Sequence, residues 1–174
     1  MECISCQQHR RMPELPLRDR IHLGTHWRLA HAWSALAGWL VVISQRHVEE
    51  LADLTGEEAA ELGQILQRAS AALRAVTGCV KTYIVLFGEQ PGFEHLHVHV
   101  VPRMADFDKQ HLGTGVFEFL KRPEHEWVAA DSRDRLAAVL IEALGGSRTR
   151  GATGDQVSFG IHDGRADHCS DAGH

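Results

Sequence analysis

The sequence has no apolar run approaching the roughly 18 residues that a membrane span requires. Its first residues are polar, where a secretory signal would need an apolar stretch. Neither a membrane partner nor export is expected, and the chain reads as cytoplasmic. Net positive charge is also lacking: 18 Lys and Arg against 23 Asp and Glu leave a formal charge of -5. A long nucleic acid needs a clustered basic face and is not an expected partner. A small phosphorylated ligand needs only a few local donors and stays open. Cysteine is scarce, at four in 174 residues. In a reducing compartment those thiols are free or ligate a metal, and structural disulfides are not expected. With 44% apolar and 24% charged residues, the composition is that of an ordinary globular protein, long enough for one well-buried core.

Histidine is what the chain holds in excess, 13 in all, and their positions carry the functional reading. Around them the pattern is of short strands and two helices. Residues 1–20 are polar and arginine-rich, with Pro13 and Pro16 discouraging a long helix. Trp27–His31 and Gly38–Ile43 read as strands joined through residues 33–38. Thr55-Gly-Glu-Glu58 has the form of a capping box, and apolar residues at Ala59, Leu62, Ile65, Leu66, Ala69, Leu73 and Val76 make a helical stripe ended by Gly78. Tyr83–Phe87 reads as a buried strand, residues 88–94 as a loop, and His95–Val101 as a strand stopped by Pro102. A turn of helix is expected near Val116–Leu120 and a second amphipathic helix over Asp131–Leu144. Residues 147–174 hold few large apolar groups and read as a flexible tail beyond a single domain of residues 1–146. His162, His168, Cys169 and His174 belong to that tail. The order of elements predicts an α+β fold with an antiparallel sheet, one long helix and a C-terminal helix.

The segment His95-Leu-His97-Val-His99-Val-Val101-Pro-Arg103 carries the chemistry. Side chains alternate along a strand, and residues two apart lie roughly 6.5 to 7 Å from each other. Three imidazoles then share one face while Leu96, Val98 and Val100 share the other. With this histidine content a His-x-His-x-His pattern arises by chance with probability roughly 0.07, and the apolar partners lower that to about 0.003. A merely solvated strand is therefore a poor account. Imidazole serves either as a metal ligand or, as the free base at neutral pH, as a nucleophile. Three alternate strand positions span about 13 Å, whereas zinc ligands sit about 2.0 to 2.1 Å from the metal. One ion does not take all three, so the histidines have different tasks.

This segment resembles the signature of the histidine-triad (HIT) family, His-φ-His-φ-His-φ-φ with φ apolar, matched at every position from His95 to Val101. The stretch from Gly38 to His47 and the capped helix after it resemble the family's strand, loop and helix. The resemblance implies a HIT-like α+β fold and, usually, a homodimer with a sheet continuous across the subunits. It implies that the middle histidine, His97, attacks the α-phosphorus of a nucleoside phosphate derivative and forms a nucleotidyl-histidine that water cleaves. His99 would donate a hydrogen bond to a phosphate oxygen. The third histidine, rather than glutamine, points to the hydrolase side of the family.

Cys3-Ile-Ser-Cys6 alone fits a redox pair, a metal pair or coincidence. The resemblance adds that many bacterial members hold structural zinc through such a pair and two histidines, which here correspond to His47 and His95. Cys79 reads as a core filler. The chain departs from the family in its substrate-holding residues. Glu89-Gln-Pro-Gly-Phe-Glu94 replaces the usual Gly-Gln-Ser/Thr-Val loop, with Gln90 as the candidate polar contact. No acidic residue stands at Ala32 or Trp33 to hold ribose hydroxyls, and Phe87 occupies a common asparagine position. Trp33 is either a core tryptophan, the preferred reading, or a stacking face for a base. The expected function is a nucleotide hydrolase or transferase acting on a phosphoramidate, a mixed anhydride or a dinucleoside polyphosphate. The alternative is a nucleotide-binding scaffold that retains structural zinc with little or no turnover.

Overall fold

The computed structural model describes residues 3–146; the tail expected at 147–174 lies outside them. Five strands form one antiparallel sheet: β1 (His22–Leu23), β2 (Trp27–His31), β3 (Leu40–Ser44), β4 (Lys81–Val85) and β5 (His97–Arg103). Their order across the sheet is β1-β2-β3-β5-β4. Helix α1 (Ile4–Arg10) precedes them, α2 (Gly56–Thr77) joins β3 to β4, and α3 (Ala130–Gly146) ends the domain. The α+β architecture read from the sequence is the one observed. No described helix is long and apolar enough to cross a membrane.

Helix α2 begins where its capping box puts it. Thr55 Oγ1 accepts from the Glu58 amide, and Glu58 Oε2 accepts from the Thr55 amide at 2.8 Å. It ends at Gly78, whose φ of 70° is a left-handed cap that suits glycine. The apolar stripe of α2 buries Leu62, Ile65, Ala69 and Leu73, each large aliphatic contributing about 1.5–3 kcal/mol. That stripe meets one face of the sheet, where Leu29, Val42, Val98 and Val100 are buried with Leu140 and Leu144 of α3.

Register places the other face. Ile43 pairs with His97, Val41 with His99, and Ala30 with Val41. Directly opposed residues share a face, so these five side chains point away from α2. Part of that face is closed by a second cluster of Trp39, Val101 and Val116 with Phe107, Phe117, Phe119 and Leu120. The segment supplying it includes a 3-10 helix over Gly113–Phe119, where a helical turn is expected from the sequence.

Two expectations need correction. The strand expected at His95–Val101 runs instead over His97–Arg103. Pro102 does not stop it, because β3 pairs no further along β5 than Val100. Arg103 turns its carbonyl to Val80 beside β4, so Pro102 faces the vacated β3 side, where no amide is needed. His95 lies just outside the strand, since Leu96 bonds with Val48 and Ser44 as the chain arrives. The strand read as buried at Tyr83–Phe87 is an edge strand over Lys81–Val85, with Ile84 46% exposed. An apolar run marks a strand but not how many neighbours it has. Residues 1–20 hold only the short helix α1, and the two prolines follow it, in keeping with the reading that they discourage a long one.

Candidate active site and metal centre

Helix α1 creates the first part of the site. Cys3 is its N-cap, and its Sγ accepts from the Cys6 amide at 3.4 Å. One helical turn thus sets both sulfurs side by side, facing His47 after β3 and His95 before β5. The four ligand atoms lie within 4.8 Å of one another. Cys3 Sγ is 3.3 Å and Cys6 Sγ 3.7 Å from His95 Nδ1. His47 Nδ1 is 3.4 Å from Cys6 Sγ and 3.2 Å from His95 Nδ1. The edges of a tetrahedral zinc site measure about 3.3 Å for N···N and 3.5 Å for N···S, so this donor set has the size and shape of a closed Cys₂His₂ centre. The outer nitrogens fit too. His95 Nε2–H donates to the Ser44 carbonyl at 2.7 Å, leaving Nδ1 with its lone pair toward the centre. Glu49 Oε1 lies 3.6 Å from His47 Nε2.

The same economy fixes the other two triad histidines. His97 Nδ1–H donates to the His95 carbonyl at 2.7 Å. A carbonyl only accepts, so the proton sits on Nδ1 and Nε2 is left as a base or nucleophile. The His99 ring stands 5.0 Å from that of His97, centre to centre. Its Nδ1 accepts from Trp39 Nε1–H at 2.9 Å, which puts the His99 proton on Nε2. Burial, and secondly the neighbouring His97, lower the His99 pKa to about 3. His31, wholly inside the fold, donates from Nδ1 to the Ala32 carbonyl and accepts the Gly38 amide at Nε2. Burial lowers its pKa to about 4.

His97 and His99 line a cavity of about 590 Å³. Ala30, Val41 and Ile43 form its floor on the sheet. Trp33, Phe87, Phe93, Phe117 and Trp127 supply aromatic walls, and Gln90 of the loop is at its rim. Trp33 is not the core residue preferred from the sequence. It is 42% exposed and meets Phe93 edge-to-face at 6.3 Å. The core tryptophans are Trp27 and Trp39, both 0% exposed. Cys79 is buried, as expected.

Three residues of the site carry no signal in the sequence. Trp39 lies far from the triad in sequence, just ahead of β3, and reads as strand filler until the fold brings it to His99. Asp19, from the N-terminal segment, lines the same cavity as Ala32, and burial raises its carboxyl pKa above the ordinary value. His9, on α1, sits 5.8 Å from the His95 ring. Neither of its ring nitrogens has a hydrogen-bond partner among the described residues, and burial, then Arg28, lowers its pKa to about 4.

Residues 28–106 match the family model of the HIT domain. A Zn-bound histidine triad family protein from Mycobacterium smegmatis superposes with a TM-score of 0.61 at 21% identity, over 84% of this chain and 96% of that one. A hypothetical histidine triad nucleotide-binding protein from Sulfolobus tokodaii gives 0.65 at 17% identity, over 86% and 96%. A histidine triad protein from Bradyrhizobium japonicum gives 0.60 at 21% identity, over 77% and 94%. At such identities the likeness is one of fold.

Proposed function

This chain is a HIT-domain protein, and we propose that it is a nucleotide hydrolase or transferase that works through a nucleotidyl-histidine. The observation that carries the proposal is the His97 ring, whose Nδ1–H is spent on the His95 carbonyl so that Nε2 is the free base in a cavity walled by aromatic side chains. Nε2 attacks the α-phosphorus, and the covalent intermediate divides one difficult displacement into two easier ones. His99 donates from Nε2–H to a phosphate oxygen as charge develops. Trp33 offers a face for a base and Gln90 a polar contact near the phosphate. Substrates in view are phosphoramidates, mixed anhydrides and dinucleoside polyphosphates.

Cys3, Cys6, His47 and His95 would hold a structural zinc ion, which ties α1 to the segment preceding the nucleophile. All four positions are filled by protein, so the metal takes no part in the chemistry. Residues 1–146 form the functional domain. The exposed edge of β4 is where a second copy would extend the sheet into a homodimer.

The test is turnover of a panel of adenosine and guanosine 5′-phosphate derivatives by wild type and His97→Ala. Loss of the nucleophile should lower kcat by several orders of magnitude while affinity for a nucleoside monophosphate is kept. Rapid quench should trap an acid-labile phosphoramidate adduct on wild type alone. Equal turnover by the variant would overturn the mechanism. Monophosphate binding without any turnover in wild type would favour the scaffold reading, to which Glu89, a carboxylate at the cavity rim, lends weight.

A further inference from the structure

Leaving groups differ in whether they need a proton to depart, and the side chain beside the nucleophile decides whether one is on offer. An indole N–H only donates. With Trp39 Nε1 2.9 Å from His99 Nδ1, that nitrogen must accept. Trp39 is fully buried and held edge-to-face by Phe117 at 5.3 Å, so it has little room to turn aside. An imidazolium at His99 would set two N–H groups against each other with no acceptor between them.

We propose that Trp39 keeps His99 a permanently neutral Nε2–H donor, which confines the site to nucleotidyl substrates whose leaving group departs as a stable oxyanion. Phosphate, pyrophosphate and carboxylate qualify, and the amine of a phosphoramidate does not. The inference rests on the HIT-type reaction proposed above and narrows its substrate class.

The electrons balance without a proton from the enzyme. The His97 Nε2 lone pair forms the N–P bond, the P–O bond to the leaving group breaks, and its electron pair leaves on oxygen. His99 retains its proton, hydrogen-bonded to a non-bridging oxygen. Water then forms a new P–O bond, the P–N bond returns its pair to His97, and the proton of the water passes to solvent. With nitrogen as the leaving atom the pair would depart on a strongly basic amide. His99 cannot prevent this, because giving up Nε2–H would leave an imidazolate. Both ring nitrogens of His31 are occupied. Asp19 and Glu89, the other titratable groups lining the cavity, stand on the N-terminal segment and the 88–92 loop, off the nucleophile's strand.

Two measurements test this on the full chain. In ¹⁵N NMR, His99 of wild type should remain the Nε2–H tautomer from about pH 7.5 down to about pH 5, where an ordinary histidine has titrated. Trp39→Phe keeps an aromatic ring and removes the donor to Nδ1, so His99, still held neutral by burial, should then exchange between the Nε2–H and Nδ1–H tautomers. In kinetics, wild type should favour a dinucleoside polyphosphate over adenosine 5′-phosphoramidate by about 100-fold or more in kcat/KM, and Trp39→Phe should narrow that gap. Titration of His99 in wild type, or equal cleavage of the two substrates through His97, would overturn the proposal. Turnover of neither substrate would sink the HIT-type reading and the leaving-group claim with it, while the NMR still decides what Trp39 does to His99.

Discussion

Lowering the pH from 7 to 5 should cost the fold about 4 kcal/mol through two histidines that it keeps neutral. His31 and His99 have pKa values lowered by burial to about 4 and about 3, from 6.5. The native state therefore refuses a proton that the unfolded chain accepts. Stability from this source is complete above the unfolded pKa and falls as the pH drops below it, until the folded pKa is reached. At pH 5 the chain is 1.5 units below 6.5, and at about 1.36 kcal/mol per unit each group contributes a loss of about 2 kcal/mol. His9 acts in the same direction but is only half-buried and adds less. Urea midpoints followed by circular dichroism at pH 7, 6 and 5, with and without a chelator, measure the loss and separate it from metal release. His31→Asn removes one of the two groups. It should be weaker than wild type at pH 7 yet lose only about half as much on acidification. Stability that is flat between pH 7 and 5, or a variant with the full wild-type pH dependence, would refute the reasoning.

Two further outcomes follow from the geometry. Untagged wild type should carry about one zinc equivalent and Cys6→Ser less than about a tenth, by elemental analysis, because metal binding and folding are coupled here; a wild type without metal would remove the zinc assignment. Gly38→Ala should be destabilising, since Gly38 has φ of 81° and an added Cβ would come 3.2 Å from Leu73 Cδ2 and 3.3 Å from Thr77 Cγ2. The expected loss is about 1–3 kcal/mol, a fall in Tm of roughly 2 to 12 °C, and an unchanged Tm would contradict it.

Much of this molecule is legible in its sequence because local chemistry writes it there. The capping box, the left-handed Gly78 and the 3.6-residue stripe of α2 are satisfied within one helix, so they need no knowledge of the fold. The alternation of His97, Val98, His99 and Val100 likewise states which side is core. What is not legible depends on neighbours distant in the chain. Pro102 is permitted in a strand only because β3 ends opposite Val100. Trp33 is exposed and Trp39 buried although both are tryptophans six positions apart, because one lies on a connection and the other just ahead of β3. Asp19 reaches the cavity from a segment whose sequence shows no periodicity at all. The Cys3, Cys6, His47 and His95 set was reachable only through family resemblance, since the CxxC spacing alone fits three chemistries.

The two faces of β5 answer to different demands. Val98 and Val100 are locked among α2 and α3, and replacing either disturbs packing on which the whole domain depends. His97 and His99 look into open volume, and the backbone ladder that carries them to Ile43, Val41 and Val85 is indifferent to what side chains it bears. Evolution can therefore rewrite ligand preference here at small risk to folding. Ala32, Phe87, Glu89, Gln90 and Phe93 all line the cavity. Selection experiments on this scaffold should find viable diversity concentrated there, with β5 positions 98 and 100 almost invariant.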